Sequence, residues 1–379
     1  MTSTFSTRLT LFLATVMVSC GGEYAIGGPH QKRPQIRELQ LGEEHSCAVT
    51  QDGKAWCWGR NDTEQIDPTR ATYLTPVLVA GQTQIEEFSL RAHHTCVRRS
   101  DGSVGCWGAN ADGQVGAGTV SDAASAEILV PQGITQIAAG THHSCALSNG
   151  APWCWGNNAT GALGDGTTVQ RLSPTPTIGL RDVGEISLGR TFSCALGVAK
   201  NVMCWGTNSR GQVGDGTIEN RLQPTPVLNV PPPVAEVRLG DDHACARTEG
   251  GDVYCWGRNL EAECGDLSGV NQPLPVRVSL PVRAQALFVG HRHACVLSPG
   301  NQSYCWGDGS GGQLGPTVSS FSPPFEFKAV TGVDQFALGD DHSCALTSDH
   351  QVWCWGRNQY GQLGDGTTTD NAVPRRVTF

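Results

Sequence analysis

The stretch HSCAVTQDGKAWCWG at residues 45–59 places two cysteines ten positions apart around a Gln-Asp-Gly turn. The same pattern returns six times, for example as HSCALSNGAPWCWG and HSCALTSDHQVWCWG. The second cysteine of each unit falls at residues 57, 106, 154, 204, 255, 305 and 354, in steps of 48 to 51 residues. A period near fifty indicates a repeat architecture, in which each unit buries its apolar face against its neighbours. We therefore interpret 36–379 as a single domain of seven repeats.

Each repeat has the pattern of a β-hairpin preceded by another strand. The first strand alternates, as in IRELQL or VGEISL, and the second carries the first cysteine. In the third repeat, Asn149 and Gly150 predict a two-residue hairpin loop that places Cys145 opposite Cys154. In the other six repeats the cysteines still face each other if the loop holds three residues, commonly with a glycine-dependent bulge. With 48 glycines, 21 prolines and no long helical pattern, the chain is predicted to be all-β.

The paired cysteines are predicted to form structural disulfides. Opposed residues at a non-hydrogen-bonded site of an antiparallel pair are close enough for this bond. An exported chain also meets an oxidising compartment, which favours it. The predicted pairs are Cys47–Cys57, Cys96–Cys106, Cys145–Cys154, Cys194–Cys204, Cys245–Cys255, Cys295–Cys305 and Cys344–Cys354.

Metal binding and catalytic thiols are the alternatives for these cysteines. A histidine precedes the first cysteine by two positions in six repeats, at His45, His94, His143, His243, His293 and His342. Zinc needs four converging ligands, and each hairpin offers one histidine and two cysteines. Phe192 occupies the histidine position in the fourth repeat. We therefore predict hydrogen-bonded structural histidines and no metal or catalytic site.

The positions of one cysteine and of seven recurring tryptophans predict that these side chains are buried in the core. Cys264 lies eight residues after Trp256, where the other repeats have Ile, Val or Leu, so it is predicted to be a buried, inert thiol. The tryptophan of each Cys-Trp-Gly segment is predicted to pack between neighbouring units as a wedge, and not to stack on a sugar. These residues are Trp58, Trp107, Trp155, Trp205, Trp256, Trp306 and Trp355.

The glycine-rich segments GALGDGT, GQVGDGT and GQLGDGT resemble phosphate loops only superficially. They lead into proline segments such as PTPTI, and not into a helix whose N-terminus could bind phosphate. We predict that Asp165, Asp215 and Asp365 are turn residues, with calcium binding as the alternative. We find no catalytic motif and predict no cofactor.

The N-terminus predicts export. Residues 1–19 contain Arg8 and the apolar run LTLFLATVMVS, as in a secretory signal peptide. Met17-Val18-Ser19-Cys20 resembles a bacterial lipobox, so Cys20 is predicted to carry a lipid and to anchor the chain in a cell envelope. Residues 20–35 then form a flexible lipidated tether.

The charge argues against nucleic acid as a partner. Removing residues 1–19 removes Arg8 and no acidic residue, so the formal charge changes from −9 to −10. No run of Lys or Arg supplies the basic face that displaces phosphate counterions, and the pair Arg375-Arg376 is too small to do so.

The repeat itself resembles a known family. The cassette of H-x-C-A-L, V-x-C-W-G-x-N, G-Q-L-G-D-G-T and P-x-P-V is similar to the regulator-of-chromosome-condensation repeat across 36–379. This resemblance implies a seven-bladed β-propeller with about four strands per blade. The acidic charge, the export signal and the cysteine pairs depart from the nuclear founding member, and the near-constant period leaves no room for its inserted wedge.

The resemblance implies a non-catalytic, monomeric scaffold that presents loops of the ring to an unknown protein. We expect the contact surface in the irregular loops NDTEQIDPTRATY, NLEAECGDLSGVNQ and DGSGGQLGPTVSSFSPPFEF. A carbohydrate-binding envelope module is one alternative, but loop aromatics occur only at different places. They are Tyr73, Phe321, Phe325 and Tyr360. A propeller enzyme with an axial site is another alternative, and it would require broken symmetry near the ring axis.

Overall fold

The computed structural model describes residues 34–379, which form seven four-stranded antiparallel sheets. The predicted signal peptide at 1–19, the lipidated Cys20 and nearly all of the tether at 20–35 lie outside the described residues. The regular elements within 34–379 are all β-strands. These residues contain no helix that is long and apolar enough to cross a membrane. The predicted all-β, seven-bladed propeller is confirmed.

Each blade is one repeat, and its strands follow one another in chain order. Blades 1 to 3 contain β1 (Ile36–Leu41), β2 (His45–Thr50), β3 (Ala55–Gly59), β4 (Tyr73–Leu78); β5 (Ile85–Arg91), β6 (His94–Arg99), β7 (Val104–Asn110), β8 (Ser121–Ile128); β9 (Ile134–Ala139), β10 (His143–Ser148), β11 (Ala151–Gly156), β12 (Arg171–Pro176). Blades 4 and 5 contain β13 (Val183–Leu188), β14 (Phe192–Gly197), β15 (Val202–Gly206), β16 (Arg221–Pro226); β17 (Val234–Leu239), β18 (His243–Thr248), β19 (Val253–Gly257), β20 (Gln272–Arg277). Blades 6 and 7 contain β21 (Ala286–Val289), β22 (His293–Leu297), β23 (Ser303–Asp308), β24 (Phe321–Phe327); β25 (Val333–Leu338), β26 (His342–Thr347), β27 (Val352–Gly356), β28 (Asn371–Arg376).

The ring closes by packing between blade 7 and blade 1. No sheet mixes strands from the two ends of the described chain, because β1–β4 form blade 1 and β25–β28 form blade 7. The first strands of adjacent blades contact one another around the ring, including β1 and β25, so they surround the axis. Phe379 packs edge-on against Trp58 at 5.8 Å and joins the core cluster of Ile36. Ile36 and Phe379 therefore share one core.

Strand direction divides the ring into two faces. Since consecutive strands are antiparallel, the first-to-second and third-to-fourth strand connections emerge on one face, which we call the loop face. The second-to-third strand hairpins and the links between blades emerge on the opposite face, which we call the hairpin face. The two faces therefore carry different loops from every repeat.

The hairpins follow the predicted loop lengths. Asn149 and Gly150 both have positive φ, at 47° and 77°, as a two-residue hairpin turn requires. In the other six blades a three-residue loop ends in a residue with positive φ. That residue is glycine at Gly53, Gly102 and Gly251, and it is Lys200, Asn301 or His350 elsewhere. Glycine thus occupies this position in three of the six loops, and other residues reach the left-handed region there at modest cost.

The seven predicted disulfides are present. Each joins directly opposed residues of the second and third strands, such as Cys47 and Cys57, and in every pair the Cα atoms lie 4.1 Å apart. Cys264 is the free cysteine of the described residues. It is buried in the core of blades 5 and 6, where burial raises the pKa of its thiol well above the usual value.

The recurring tryptophans join neighbouring blades. All seven indole Nε1 groups donate to a backbone carbonyl in the third-to-fourth strand connection of the preceding blade. Trp155 donates to Gln114 at 2.9 Å, and Trp58 donates across the ring closure to Gln362 at 2.8 Å. The predicted wedge therefore also satisfies a buried carbonyl, which fixes the angle between blades.

The histidines of the H-x-C motif lie beside these contacts. His143 Nε2 lies 2.8 Å from the Ser193 hydroxyl of the next blade, and that hydroxyl donates to the carbonyl of Ala162. Because the hydroxyl proton is used there, the histidine is the donor to the serine. The same contact joins His94 to Ser144, His293 to Ser343 and His342 to Ser46. Four of the six histidines are thus hydrogen-bonded structural groups.

One position of the first strand, which we call the clasp position, carries a side chain that bonds the inner strand of the next blade in four of the seven blades. The residues at this position are Glu38, Glu87, Gln136, Glu185, Glu236, Ala286 and Gln335. Gln136 accepts from the Ile186 amide of the next blade at 2.7 Å and donates to its carbonyl at 2.9 Å. Gln335 makes the same two bonds to Leu39 across the ring closure. Clasps therefore extend the hydrogen-bonding of one inner strand onto its neighbour.

Candidate functional site

The first-to-second strand turns surround the axis on the loop face. In six blades the first strand is followed by a glycine, such as Gly42 or Gly240. A Cβ atom at either glycine would overlap the ring of His45 or His243 in the same blade. The buried histidine thus leaves no room for a side chain at this place, which explains the glycine.

Blade 2 breaks this rule. Arg91 stands where the other blades have glycine, and the turn after it differs because Ala92 adopts a φ of 43°. A positive φ at a non-glycine residue is uncommon, so it marks a local departure from the repeat. The altered turn accommodates the Arg91 side chain, which is buried.

Arg91 crosses the ring axis. Its Nη1 donates to the Leu239 carbonyl at 2.9 Å, and its Nη2 lies 3.3 Å from Oδ1 of Asp241. These residues belong to blade 5, three blades from blade 2, which is the greatest separation that a seven-bladed ring allows. The side chain therefore obstructs the central channel at its loop-face end.

A charged cluster surrounds the end of Arg91. His291 Nδ1 lies 3.4 Å from Asp241 and 3.5 Å from Asp340. Burial opposes protonation of His291, but the two carboxylates outweigh it and raise its pKa to about 9. Burial likewise favours the neutral form of Asp241, yet His291 and Arg91 hold the pKa of this carboxyl well below its usual range. The axis is thus closed by groups that are charged at neutral pH.

Behind Arg91 the channel forms a cavity of about 510 Å³. The space exists partly because small residues of blades 3 and 4 line it, including Thr135, Gly184 and Ser187. Because Arg91 obstructs the loop-face end, the cavity opens toward the hairpin face. Its volume falls within the range of small-molecule sites in proteins.

The cavity wall carries two carboxyls with perturbed pKa values. Burial raises the pKa of Glu38 above its usual value. Burial also raises the pKa of Glu87 to about 7, against the opposing effects of the Ile137 amide and Arg98, and the Glu38 charge adds to the rise. Arg238 lies on the same wall but is paired with Glu185 and Glu236. Perturbed carboxyls in a concave site mark a candidate functional site.

The outer part of the loop face carries exposed apolar side chains. Seven of them lie in or directly after the third-to-fourth strand connections of blades 2 to 6, and they are between 48% and 62% exposed. They are Val120, Val169, Ile218, Leu260, Leu267, Val270 and Phe321. We call this set the apolar rim. Five adjacent blades thus present large apolar groups to solvent on the same face.

Sequence comparison places this geometry in a family. The profile of the RCC1-like domain matches residues 24–265, which is more than half of the chain. The chain belongs to the RCC1-like domain family. Profiles of the regulator of chromosome condensation (RCC1) repeat also match residues 250–297, 333–362 and 349–379. No curated protein sequence gives a significant match.

Solved structures agree with this assignment. Yeast RCC1 (Prp20), solved with Kap60 bound, superposes with a TM-score of 0.77 at 21% identity, covering 98% of this chain and 91% of that one. Human WBSCR16 gives 0.74 at 19% identity, with coverage of 82% and 86%. The ectodomain of the Physcomitrella patens receptor kinase CR4 gives 0.54 at 18% identity, with coverage of 85% and 73%. At these identities the likeness establishes the fold alone.

The irregular loops differ in what they offer within this RCC1-like ring. The loops of repeats 5 and 6 contribute Leu260, Leu267, Val270 and Phe321 to the apolar rim. The loop of repeat 1 instead folds on itself, because the Tyr73 hydroxyl donates to Asp67 at 2.6 Å. The regular loops of blades 2 to 4, which sequence reasoning passed over, contribute to the rim as well.

The four aromatics weighed against the carbohydrate alternative mostly contact other protein groups. Tyr73, Phe321 and Phe325 were expected in loops, but they lie in β4 and β24, whose pairing with the third strand extends to these residues. Phe325 is partly buried against the core, and the Tyr360 ring lies 4.8 Å from the Arg60 guanidinium. Of the four, Phe321 is the large exposed apolar side chain.

The GDGT loops are turns, as predicted. Asp165 Oδ1 accepts from the Thr167 amide and hydroxyl, and its other oxygen accepts from Arg171. Asp215 has the same partners, and Asp365 shares the threonine contacts. Among the described residues, no group of three His, Cys, Asp or Glu side chains is placed to hold a metal ion.

Proposed function

We propose that this RCC1-like propeller is a non-catalytic scaffold that binds a partner protein through the apolar rim of its loop face. The observation that carries the proposal is the exposure of large apolar side chains on five adjacent blades. Soluble monomers rarely keep such groups together on one face without an interaction to use them. A protein partner would bury them and remove apolar surface from water.

We further propose that the chain is exported and held at a cell envelope by lipid on Cys20. Seven disulfides are typical of proteins that fold in an oxidising compartment. The apolar run before Cys20 supports export from the sequence side.

A protein partner fits the loop face better than a carbohydrate. Sugar-binding surfaces depend on exposed aromatic planes, whereas the apolar rim is aliphatic except for Phe321. Aliphatic side chains such as Ile218 and Leu267 offer burial without stacking. The rim is therefore suited to a complementary apolar protein surface.

The test is site-specific photocrosslinking of the full chain in its native envelope. A benzoylphenylalanine at Ile218 reports on the apolar rim, and one at Leu129, which is 94% exposed on the hairpin face, is the matched control. We expect one recurring protein to crosslink from position 218 and not from position 129. An Ile218→Asp variant should abolish its recovery, because it places a charge in an apolar contact.

Two outcomes would overturn this proposal. Equal crosslinking from both positions would show that the apolar rim has no special role. Recovery of polysaccharide without protein would favour the carbohydrate-binding alternative.

A further inference from the structure

We propose that the axial cavity binds an organic cation, an ammonium or guanidinium group, through Glu38 and Glu87. This site is separate from the apolar rim, and it opens on the opposite face of the ring. The proposal does not depend on the scaffold function. It rests on how the cavity is built, on the inter-blade hydrogen bond that Glu38 lacks, and on the charged groups of its wall.

The cavity exists because the ring departs from symmetry. Arg91 forms its floor by crossing from blade 2 to the Leu239 carbonyl of blade 5. On the wall, Thr135 and Gly184 stand where blades 1 and 2 carry the long side chains of Arg37 and Glu86. A through-channel has thereby become a pocket with one end obstructed and room for a small ligand.

Glu38 lacks the hydrogen bond to the next blade that four other clasp residues make. Glu87, Gln136, Glu236 and Gln335 each accept a hydrogen bond from the inner strand of the next blade. Glu38 instead accepts from Gln40 in its own strand, at 3.2 Å. Among the described residues, it has no cationic side chain within ion-pair distance. A partly buried carboxylate in this position gains from any cation that enters the cavity.

The remaining charges of the wall are already matched. Arg238 pairs with Glu185 and Glu236, and Arg91 pairs with Asp241. Glu87 has one cationic partner, Arg98, at 3.2 Å. The wall of blades 1 and 2 therefore carries two carboxyl groups, Glu38 and Glu87, on adjacent strands, with one cationic partner between them. An ammonium or guanidinium group has the charge and the hydrogen-bond donors to bridge them.

The entrance permits a test by steric block. Gly184 lines the cavity on the first strand of blade 4, and a Cβ at this residue would meet nothing closer than 3.8 Å. Its φ lies outside the left-handed region, so a larger residue fits the backbone. Gly184→Phe should therefore narrow the entrance without disturbing the ring.

The experiment is isothermal titration calorimetry of the full chain with 1,4-diaminobutane. The uncharged 1,4-butanediol is the matched control ligand. A capped Gly-Gly-Lys-Gly-Gly peptide distinguishes the two sources of the cation. Tighter binding of the diamine indicates a free amine, and tighter binding of the peptide indicates a lysine side chain of a partner protein.

The variants separate binding from folding. Glutamine already occupies the clasp position in blades 3 and 7, so Glu38→Gln with Glu87→Gln is compatible with the fold. We expect this double variant to lose about tenfold to a hundredfold in affinity for the charged probe that binds. Gly184→Phe should lose binding with both carboxylates intact. Glu127→Gln, on an outer strand, should leave the affinity unchanged.

Three results would each overturn the proposal. The first is failure of both charged probes to bind. The second is equal binding of the diamine and the diol, since the cation would then contribute nothing. The third is unchanged affinity in the double variant when its thermal unfolding matches that of the parent chain.

Discussion

At the scale of single residues, five of the seven blade interfaces are set by matched pairs. His143 donates to Ser193 of the next blade, and three other interfaces repeat this contact. Where the following blade has Ala244 in the serine position, Phe192 replaces the histidine. The chain therefore contains a polar and an apolar solution to the same packing problem. The interface between blades 5 and 6 keeps the imidazole of His243 opposite Ala294, without a hydroxyl partner.

This pairing predicts the outcome of a double-mutant cycle. His143→Phe and Ser193→Ala should each destabilise the ring by about 1–3 kcal/mol, because each breaks a buried hydrogen bond. The double variant reproduces the native Phe192 and Ala244 pair, so it should lose less than the sum by about 0.5–3 kcal/mol. Urea unfolding of the oxidised protein measures all four states. Strictly additive losses would show that the two side chains are not coupled.

At the scale of strands, the clasps connect neighbouring blades that share no β-sheet. Many interfaces rely on a side chain that binds the neighbouring inner strand, and the closure between blades 7 and 1 depends on Gln335 bound to Leu39. His342 and Trp58 reinforce the same interface from either side. The closure thus uses the same contacts as the internal interfaces, with Phe379 added.

Loss of the clasp between blades 7 and 1 should increase backbone motion more than loss of an internal clasp. Gln335→Ala and Gln136→Ala each remove two hydrogen bonds and should cost about 1–3 kcal/mol. Only Gln335→Ala weakens an interface that no covalent link spans, so it should increase amide exchange in β1 and β25. Hydrogen exchange with mass spectrometry compares the two variants. The same exchange pattern in both would contradict a special role for the closure.

At the scale of the whole molecule, the buried histidines link stability to pH. Burial lowers the pKa of His45, His94, His143, His243 and His342 to about 3 and that of His293 to about 4. In the unfolded chain these groups titrate near 6.5. Below that pH the unfolded chain binds more protons than the folded ring. Their contribution is therefore complete above about pH 6.5 and is lost as the pH falls toward 3.

The ring should accordingly lose stability steeply in mild acid. Each of these histidines contributes a slope of up to about 1.4 kcal/mol per pH unit. His291 acts in the opposite sense, since its pKa of about 9 is raised, and its contribution is lost as the pH rises through that value. Urea midpoints between pH 7.5 and 5 test the prediction, and His143→Phe should reduce the slope. A flat profile below pH 6.5 would contradict it.

The sequence by itself determined the repeats, the hairpins, the seven disulfides and the buried roles of Cys264 and the tryptophans. These features depend on short spacings that recur, so periodicity and turn chemistry are sufficient to predict them. Even the charged floor of the cavity left a trace, because Arg91 follows Leu90 where the first strand of each of the other six repeats is followed by glycine.

Only the tertiary structure decided which distant residues meet. That Arg91 reaches Leu239, and that Glu38 and Glu87 face one cavity, depends on the curvature of a closed ring, which no local pattern encodes. The apolar rim likewise exists because antiparallel strands bring the same loop of five blades to one face. The repeats are set by interactions between residues near in sequence, whereas the candidate sites arise where the ring brings unequal repeats together.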